Sequence, residues 1–236
     1  MLSLTTITST VLGANCYLVA HDDGTCVVID PSGGVVGAVR EHVERHGLHV
    51  AAVLATHGHV DHVLDAAAAV AAFDVPLTVA EADAYRIADP FGTLEPAGSG
   101  LVPAIAAAAG IDVDDHRVPE RVETFSGVAT EMRFGGIDVT CLAAPGHTEG
   151  STLYRVDGVE IDGQERRLVL TGDVLFAGTV GRVDLPGGDA ATMQHTLTTV
   201  VGALDGDLVV LPGHGPATTI ARERTTNPYL TGAARL

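Results

Sequence analysis

A chain of 236 residues, 46% hydrophobic and 18% charged, is long enough to bury a large core and too apolar to be disordered. Thirty acidic residues against 13 basic ones give a net charge of -17, which repels a phosphate backbone and argues against nucleic acid as a partner. Trp is absent, all 13 cations are Arg, and neither an apolar run of about 18 residues nor a basic leader is found, so a cytoplasmic protein without membrane association is expected.

Strand-like runs at 16–20 and 26–30 flank His21-Asp22-Asp23-Gly24, a hairpin that makes the start antiparallel. Residues 34–47 carry Val35, Val39 and Val43 at helical spacing, with Glu41 four residues before Arg45, and stop at Gly47. A buried strand at 51–55 leads through a loop to an Ala-rich helix over 62–73, a strand at 75–80 and a short helix at 81–87. Between 89 and 126 the pattern weakens around an apolar helix-like patch at 102–109, and this segment reads as a lid, a binding loop or an oligomer contact, or else as a plain surface insertion. Strands resume at 131–134, 137–143, 151–156 and 167–170; a helix covers 190–204 and a last strand 208–211. Strands and helices alternate twice without a linker, which predicts one α/β domain over 1–236 built from two similar halves, each a sheet covered by helices. Cys16, Cys26 and Cys141 lie in apolar runs and read as reduced, buried thiols.

The loop after the strand at 51–55 reads Thr56-His57-Gly58-His59-Val60-Asp61-His62. Neutral imidazole nitrogens beside a carboxylate suit zinc, iron or manganese, whereas a closed structural zinc site would be rich in Cys. Later apolar runs end in the same way: 142–147 in His147, 168–173 in Asp173, 208–214 in His214. A glycine just before each of these residues lets the backbone turn, so that a side chain fixed by a rigid strand points into a shared crevice. His21, His42, His46, His49, His116 and His195 lack such partners and read as solvated side chains.

With these motifs in place the chain resembles the metallo-β-lactamase superfamily, and within it the glyoxalase II-like hydrolases. The resemblance runs from Asn15-Cys16-Tyr17-Leu18-Val19 through Pro145-Gly146-His147-Thr148-Glu149-Gly150-Ser151 to Pro212-Gly213-His214-Gly215-Pro216. Gly172-Asp173-Val174-Leu175-Phe176, the segment 181–189 and Asn227-Pro228-Tyr229-Leu230 are similar to a short, single-domain branch of that group. The resemblance implies an αββα sandwich of two mixed sheets with helices on the outer faces and a two-metal site on one edge. By position, it implies His57, His59 and His147 on one metal, Asp61, His62 and His214 on the other, and Asp173 bridging both. It further implies two divalent ions, zinc first with iron or manganese as alternatives, and a bridging hydroxide oriented by Asp61 and Asp173.

A leaving thiolate, stable near neutral pH, needs no separate protein acid, so thioester hydrolysis suits such a site. The expected partner is therefore a small-molecule thioester, and a homo-oligomer is left open. Arg182, after Gly181 in the segment beyond Asp173, stands where the glyoxalase II-like pattern often has a basic residue near the thiol and is a candidate substrate contact. Glyoxalase II enzymes that act on glutathione thioesters usually carry a further C-terminal helical region with basic and aromatic residues, whereas this chain ends soon after Tyr229-Leu230 and has no Lys, so a different low-molecular-weight thiol or a broader acyl thioester range is expected at least as readily as glutathione. A mononuclear-iron persulfide dioxygenase and a metal-dependent lactonase are the alternative activities. A secreted β-lactamase and a ribonuclease are disfavoured by the missing leader and the acidic charge, and a flavodiiron site would place Glu at the position of His59.

Overall fold

The computed structural model of the chain describes residues 1–95 and 100–236. Six strands form its first half-sheet in the order β1 (Leu2–Thr8), β2 (Asn15–His21), β3 (Thr25–Ile29), β4 (His49–Leu54), β5 (Leu77–Ala80) and β6 (Val122–Phe125). Strands β1, β2 and β3 pair antiparallel, and β3 to β6 run parallel. Helix α1 (Val36–His46) joins β3 to β4. The helices α2 (Val60–Val63), α3 (Ala66–Phe73) and α4 (Ala84–Ala88) follow β4 and β5, and α5 (Leu101–Ala109) precedes β6.

The second half-sheet comprises β7 (Ala129–Phe134), β8 (Ile137–Ala143), β9 (Thr152–Ile161), β10 (Gln164–Gly172), β13 (Val209–Pro212) and β14 (Thr218–Thr219). A small hairpin of β11 (Leu175–Phe176) and β12 (Thr179–Val180) precedes α6 (Ala190–Thr199), and α7 (Ile220–Thr226) and α8 (Pro228–Thr231) close the chain. The expected two sheets are thus two halves of one hydrogen-bonded sheet, joined by two residue pairs, Leu2 with Val159 and Ser3 with Glu160.

Side-chain alternation turns these halves into a four-layer sandwich. Along β2, Cys16, Leu18 and Ala20 face α1 and α3, while Tyr17 and Val19 face the opposite half-sheet. In β10, Leu168 and Leu170 face inward and Val169 packs outward with Met193 and Leu197 of α6. Strands covered on both faces have no polar side, which is why they read as unbroken apolar runs. The three layers of apolar contact, helix on sheet, sheet on sheet and sheet on helix, define the α/β sandwich expected from the sequence.

Several elements differ from expectation. Strand β1 was not expected, because Leu-Ser-Leu-Thr-Thr-Ile-Thr is only partly buried. The helix expected over 62–73 is broken into α2 and α3 around Leu64 and Asp65. The strands expected at 151–156 and 167–170 extend into one long hairpin, β9–β10, whose turn places Asp162 (φ 52°) and Gly163 (φ 73°) in the left-handed region that a tight hairpin requires. Of the 89–126 segment, 96–99 lie outside the described residues. The rest holds α5, the edge strand β6, and Phe91 and Leu94, which pack with Val60 in a small apolar cluster.

Candidate metal centre

All seven predicted ligands converge at the ends of β4, β8, β10 and β13. The ligand atoms of His57, His59 and His147 lie within 4.8 Å of one another, and so do those of Asp61, His62, Asp173 and His214. His59 Nδ1 and His147 Nε2 are 2.8 Å apart, and His214 Nε2 stands 3.0 Å from Asp61 Oδ2. Asp173 reaches both groups: its Oδ1 is 3.2 Å from His62 Nε2, and its Oδ2 is 3.7 Å from His147 Nε2 and 3.8 Å from His214 Nε2. Among the described residues, the other six histidines join neither cluster.

The strand ends place these side chains because the backbone can approach closely. Gly213 donates its N–H to the Gly172 carbonyl, and a Cβ there would collide with Asp173 Oδ1 and stand 2.6 Å from His62 Cε1. Only glycine lets the β13 turn lie against two ligands.

Three imidazoles have their outer nitrogens occupied, which fixes the tautomer. His62 Nδ1–H donates to Asp30 Oδ2 at 2.9 Å, and His147 Nδ1–H donates to the Arg182 carbonyl at 2.7 Å. Thr56 Oγ1 donates to Asp30 Oδ2 at 2.8 Å, so it accepts from His57 Nδ1–H at 3.0 Å. Asp30 thereby orients His57 through Thr56 and His62 directly, and the Nε2 lone pairs of all three rings point inward.

Several of the inward atoms make no hydrogen bond within the protein. His57 Nε2, His62 Nε2 and Asp173 Oδ1 are buried without a hydrogen bond, an arrangement costing about 1–3 kcal/mol per group unless something else is bound there. Burial, reinforced by neighbouring imidazoles, holds His57 well below the usual histidine range and His59 down at about 3, so both are neutral donors. Although burial opposes it, the facing imidazoles, His62 foremost, hold Asp61 and Asp173 below the usual carboxylate range. The same carboxylates, against the pull of burial, raise His62 and His214. The neutral imidazoles of His57 and His59, and the two carboxylates whose field attracts positive charge and holds protons on His62 and His214 that a cation would displace, fit divalent cations.

Arg182 enters the site through its backbone. Its guanidinium makes a two-pronged pair with Asp184, Nε to Oδ1 at 2.6 Å and Nη2 to Oδ2 at 2.8 Å, while its carbonyl holds His147. Sequence reasoning missed Asp30, Thr56, Asp83 and Arg86. Asp30 could have been found, since it closes the run Cys26–Ile29 as Asp173 closes the run of β10. Asp83 and Arg86 carry no such signal, for a charged pair three residues apart looks like an ordinary exposed helix face.

A mixed α/β sandwich with His and Asp ligands gathered at its strand ends defines a metallo-hydrolase. The chain belongs to the metallo-β-lactamase superfamily, whose family model matches residues 9–214. It is 37% identical over 225 residues to an uncharacterized protein of Mycobacterium tuberculosis, covering 95% of this chain and 96% of that one. It is 31% identical over 217 residues to the hydroxyacylglutathione hydrolase GloC of Haemophilus influenzae, covering 92% of each. The crystal structure of TTHA1623 in a di-iron-bound form superposes with a TM-score of 0.72 at 31% identity, over 96% of this chain and 100% of that one. No helix of the described residues is long and apolar enough to cross a membrane.

Proposed function

We propose that the protein is a cytoplasmic, binuclear metal-dependent hydrolase of small-molecule thioesters. The observation that carries the reading is the position of Asp173, whose two oxygens reach into both ligand clusters at once. His57, His59 and His147 would hold one ion, Asp61, His62 and His214 the other, with Asp173 between them. Zinc is the first candidate, and iron or manganese suit the same donors. Two such ions would supply an acidified water as nucleophile and would polarise an acyl carbonyl.

The chain's own residues prepare that chemistry. Asp30, Thr56 and the Arg182 carbonyl keep three imidazole lone pairs directed inward, so no ring must turn or change tautomer when substrate binds. A thioester is favoured because its leaving thiolate needs no protonation by the protein, and the name of the Haemophilus influenzae relative supports an acyl-thiol substrate. Arg182 is proposed to contact the thiol carrier, exchanging its Asp184 partner for an anionic group of the substrate.

A panel of lactoyl and other acyl esters of several cellular thiols, run on protein of measured metal content, tests the reading. Thioester hydrolysis that tracks metal content is expected. Oxygen uptake with a persulfide and no hydrolysis, or turnover of lactones alone, would replace it.

A further inference from the structure

A second buried network lies beside the first cluster, and its hydrogen bonds go to the neighbours of the imidazoles and not to the rings themselves. Asp83 and Arg86 are both fully buried. Asp83 Oδ2 accepts from the Gly58 N–H at 2.8 Å and from Thr148 Oγ1 at 2.8 Å, and its Oδ1 accepts from the Gly150 N–H at 2.7 Å. Arg86 Nη2 donates to Glu149 Oε2 at 2.6 Å and to the Pro186 carbonyl at 2.8 Å. Arg86 Nε stands 3.5 Å from Asp83 Oδ1, closing the pair.

Besides the Thr93 carbonyl, which accepts from Arg86 Nη1 at 3.4 Å, the partners of these two side chains come from three stretches of chain around the first cluster. Gly58 lies between His57 and His59. Thr148, Glu149 and Gly150 directly follow His147, and Pro186 belongs to the loop whose Arg182 carbonyl holds the His147 ring. Packing repeats the pattern: a Cβ at Gly58 would come 2.6 Å from Arg86 Cβ, and one at Gly150 would come 2.7 Å from Asp83 Cβ. The chain thus approaches the pair so closely that two of the neighbouring positions admit only glycine.

We propose that Asp83 and Arg86 are positioning residues for the His57, His59 and His147 cluster alone, a proposal that rests on the binuclear reading above. The pair holds the 57–59 turn, the 148–150 turn and the 182–186 loop at fixed spacing, so three imidazoles carried by two distant chain segments meet at one point. The second cluster is held by other groups: His62 is set by Asp30, and Gly213 is bonded to Gly172. A buried charge pair of this kind costs desolvation and adds little net stability, which is consistent with its retention for geometry.

The test uses full-length, zinc-loaded protein challenged with graded chelator. Asp83→Asn and Arg86→Gln are each combined with His214→Ala, which leaves the first cluster complete, and with His147→Ala, which disables it. With His214→Ala, each variant is expected to weaken zinc retention about ten- to a hundredfold, the range found for residues that orient metal ligands. With His147→Ala, neither should change retention more than about twofold. Equal losses in both backgrounds, or no loss with His214→Ala, would overturn the proposal.

Amide exchange supplies a readout independent of metal. In Asp83→Ala, with the fold checked by circular dichroism, the Gly58 and Gly150 amides should exchange faster while that of Thr56, held by Asp30 at 2.7 Å, keeps its protection. Unchanged exchange at Gly58 and Gly150 overturns the proposal. If the wild type retains only one ion, the binuclear reading fails, and the positioning role is decided by this exchange measurement.

Discussion

Asp30→Asn is the sharpest perturbation of the site, because it changes one atom and touches both clusters. Asp30 is buried and accepts three hydrogen bonds: from Thr56 N–H at 2.7 Å, Thr56 Oγ1 at 2.8 Å and His62 Nδ1–H at 2.9 Å. An Asn has one acceptor oxygen. If that oxygen faces the Thr56 N–H, the new NH2 faces Thr56 Oγ1 and His62 Nδ1, and both partners must reverse their roles. His62 then carries its proton on Nε2, the nitrogen that should bind metal. If the amide turns over, the NH2 meets the Thr56 N–H instead. Either way a hydrogen bond to a charged group is lost, about 1.5–3 kcal/mol, or roughly 10- to 150-fold in an equilibrium constant.

The fold should survive, since Asp30 sits at φ 54° and Asn tolerates that left-handed conformation as well as Asp does. Zinc titration of the metal-free variant should show both ions bound about 10- to 100-fold more weakly, with kcat/KM on the best thioester falling in parallel at limiting zinc. Wild-type affinity at both positions would refute the claim that Asp30 sets the ligand tautomers.

Asp173→Ala should remove nearly all activity and loosen both ions while leaving the fold intact, since its two oxygens serve both clusters; elemental analysis should fall from two ions per chain, and wild-type turnover with full metal content would show that Asp173 is no bridge. Arg182→Ala should raise KM more than it lowers kcat and leave metal content unchanged, because the carbonyl that holds His147 is kept while the guanidinium acts on a part of the substrate remote from the reacting carbon; an unchanged KM removes Arg182 from the substrate site. The three cysteines are buried, and burial pushes Cys26 up to about 11, Cys141 up to about 12 and Cys16 higher still. A thiol reagent at pH 8 should therefore find no fast-reacting cysteine in the native protein and three after unfolding.

The ligands were legible because each sits where a strand buried on both faces ends. Leu168 to Leu170 and Leu208 to Leu211 are unmistakable in sequence, and the Gly that follows each run marks the turn that delivers Asp173 or His214. Residues acting across strands were not legible. Asp30 meets Thr56 only because β3 and β4 run parallel with Ile29 beside Leu54, a pairing that no local pattern records. The same limit hid β1 and β6, whose side chains are partly exposed: with weak burial there is little apolar signal to read, and main-chain pairing does the rest.

The placement of the ligands joins stability to function. His57, His59, Asp61 and His62 come from the first half-sheet, whereas His147, Asp173 and His214 come from the second, so each cluster takes ligands from both. Ladder pairing between the half-sheets is confined to Leu2, Ser3, Val159 and Glu160, supplemented by single bonds such as Asn15 N–H to the Gly213 carbonyl and Thr152 N–H to the Thr56 carbonyl, and the apolar layer between them does not discriminate one register of side chains from another as sharply as a set of lone pairs does. Unpartnered, His57 Nε2, His62 Nε2 and Asp173 Oδ1 are a cost to the fold. An ion that binds them only in the folded chain offsets that cost, adding about 2.7 kcal/mol of stability at a hundredfold excess over its dissociation constant. The residues that make this end of the sandwich the least favourable to bury are therefore the ones through which a bound cation would lock the two halves together.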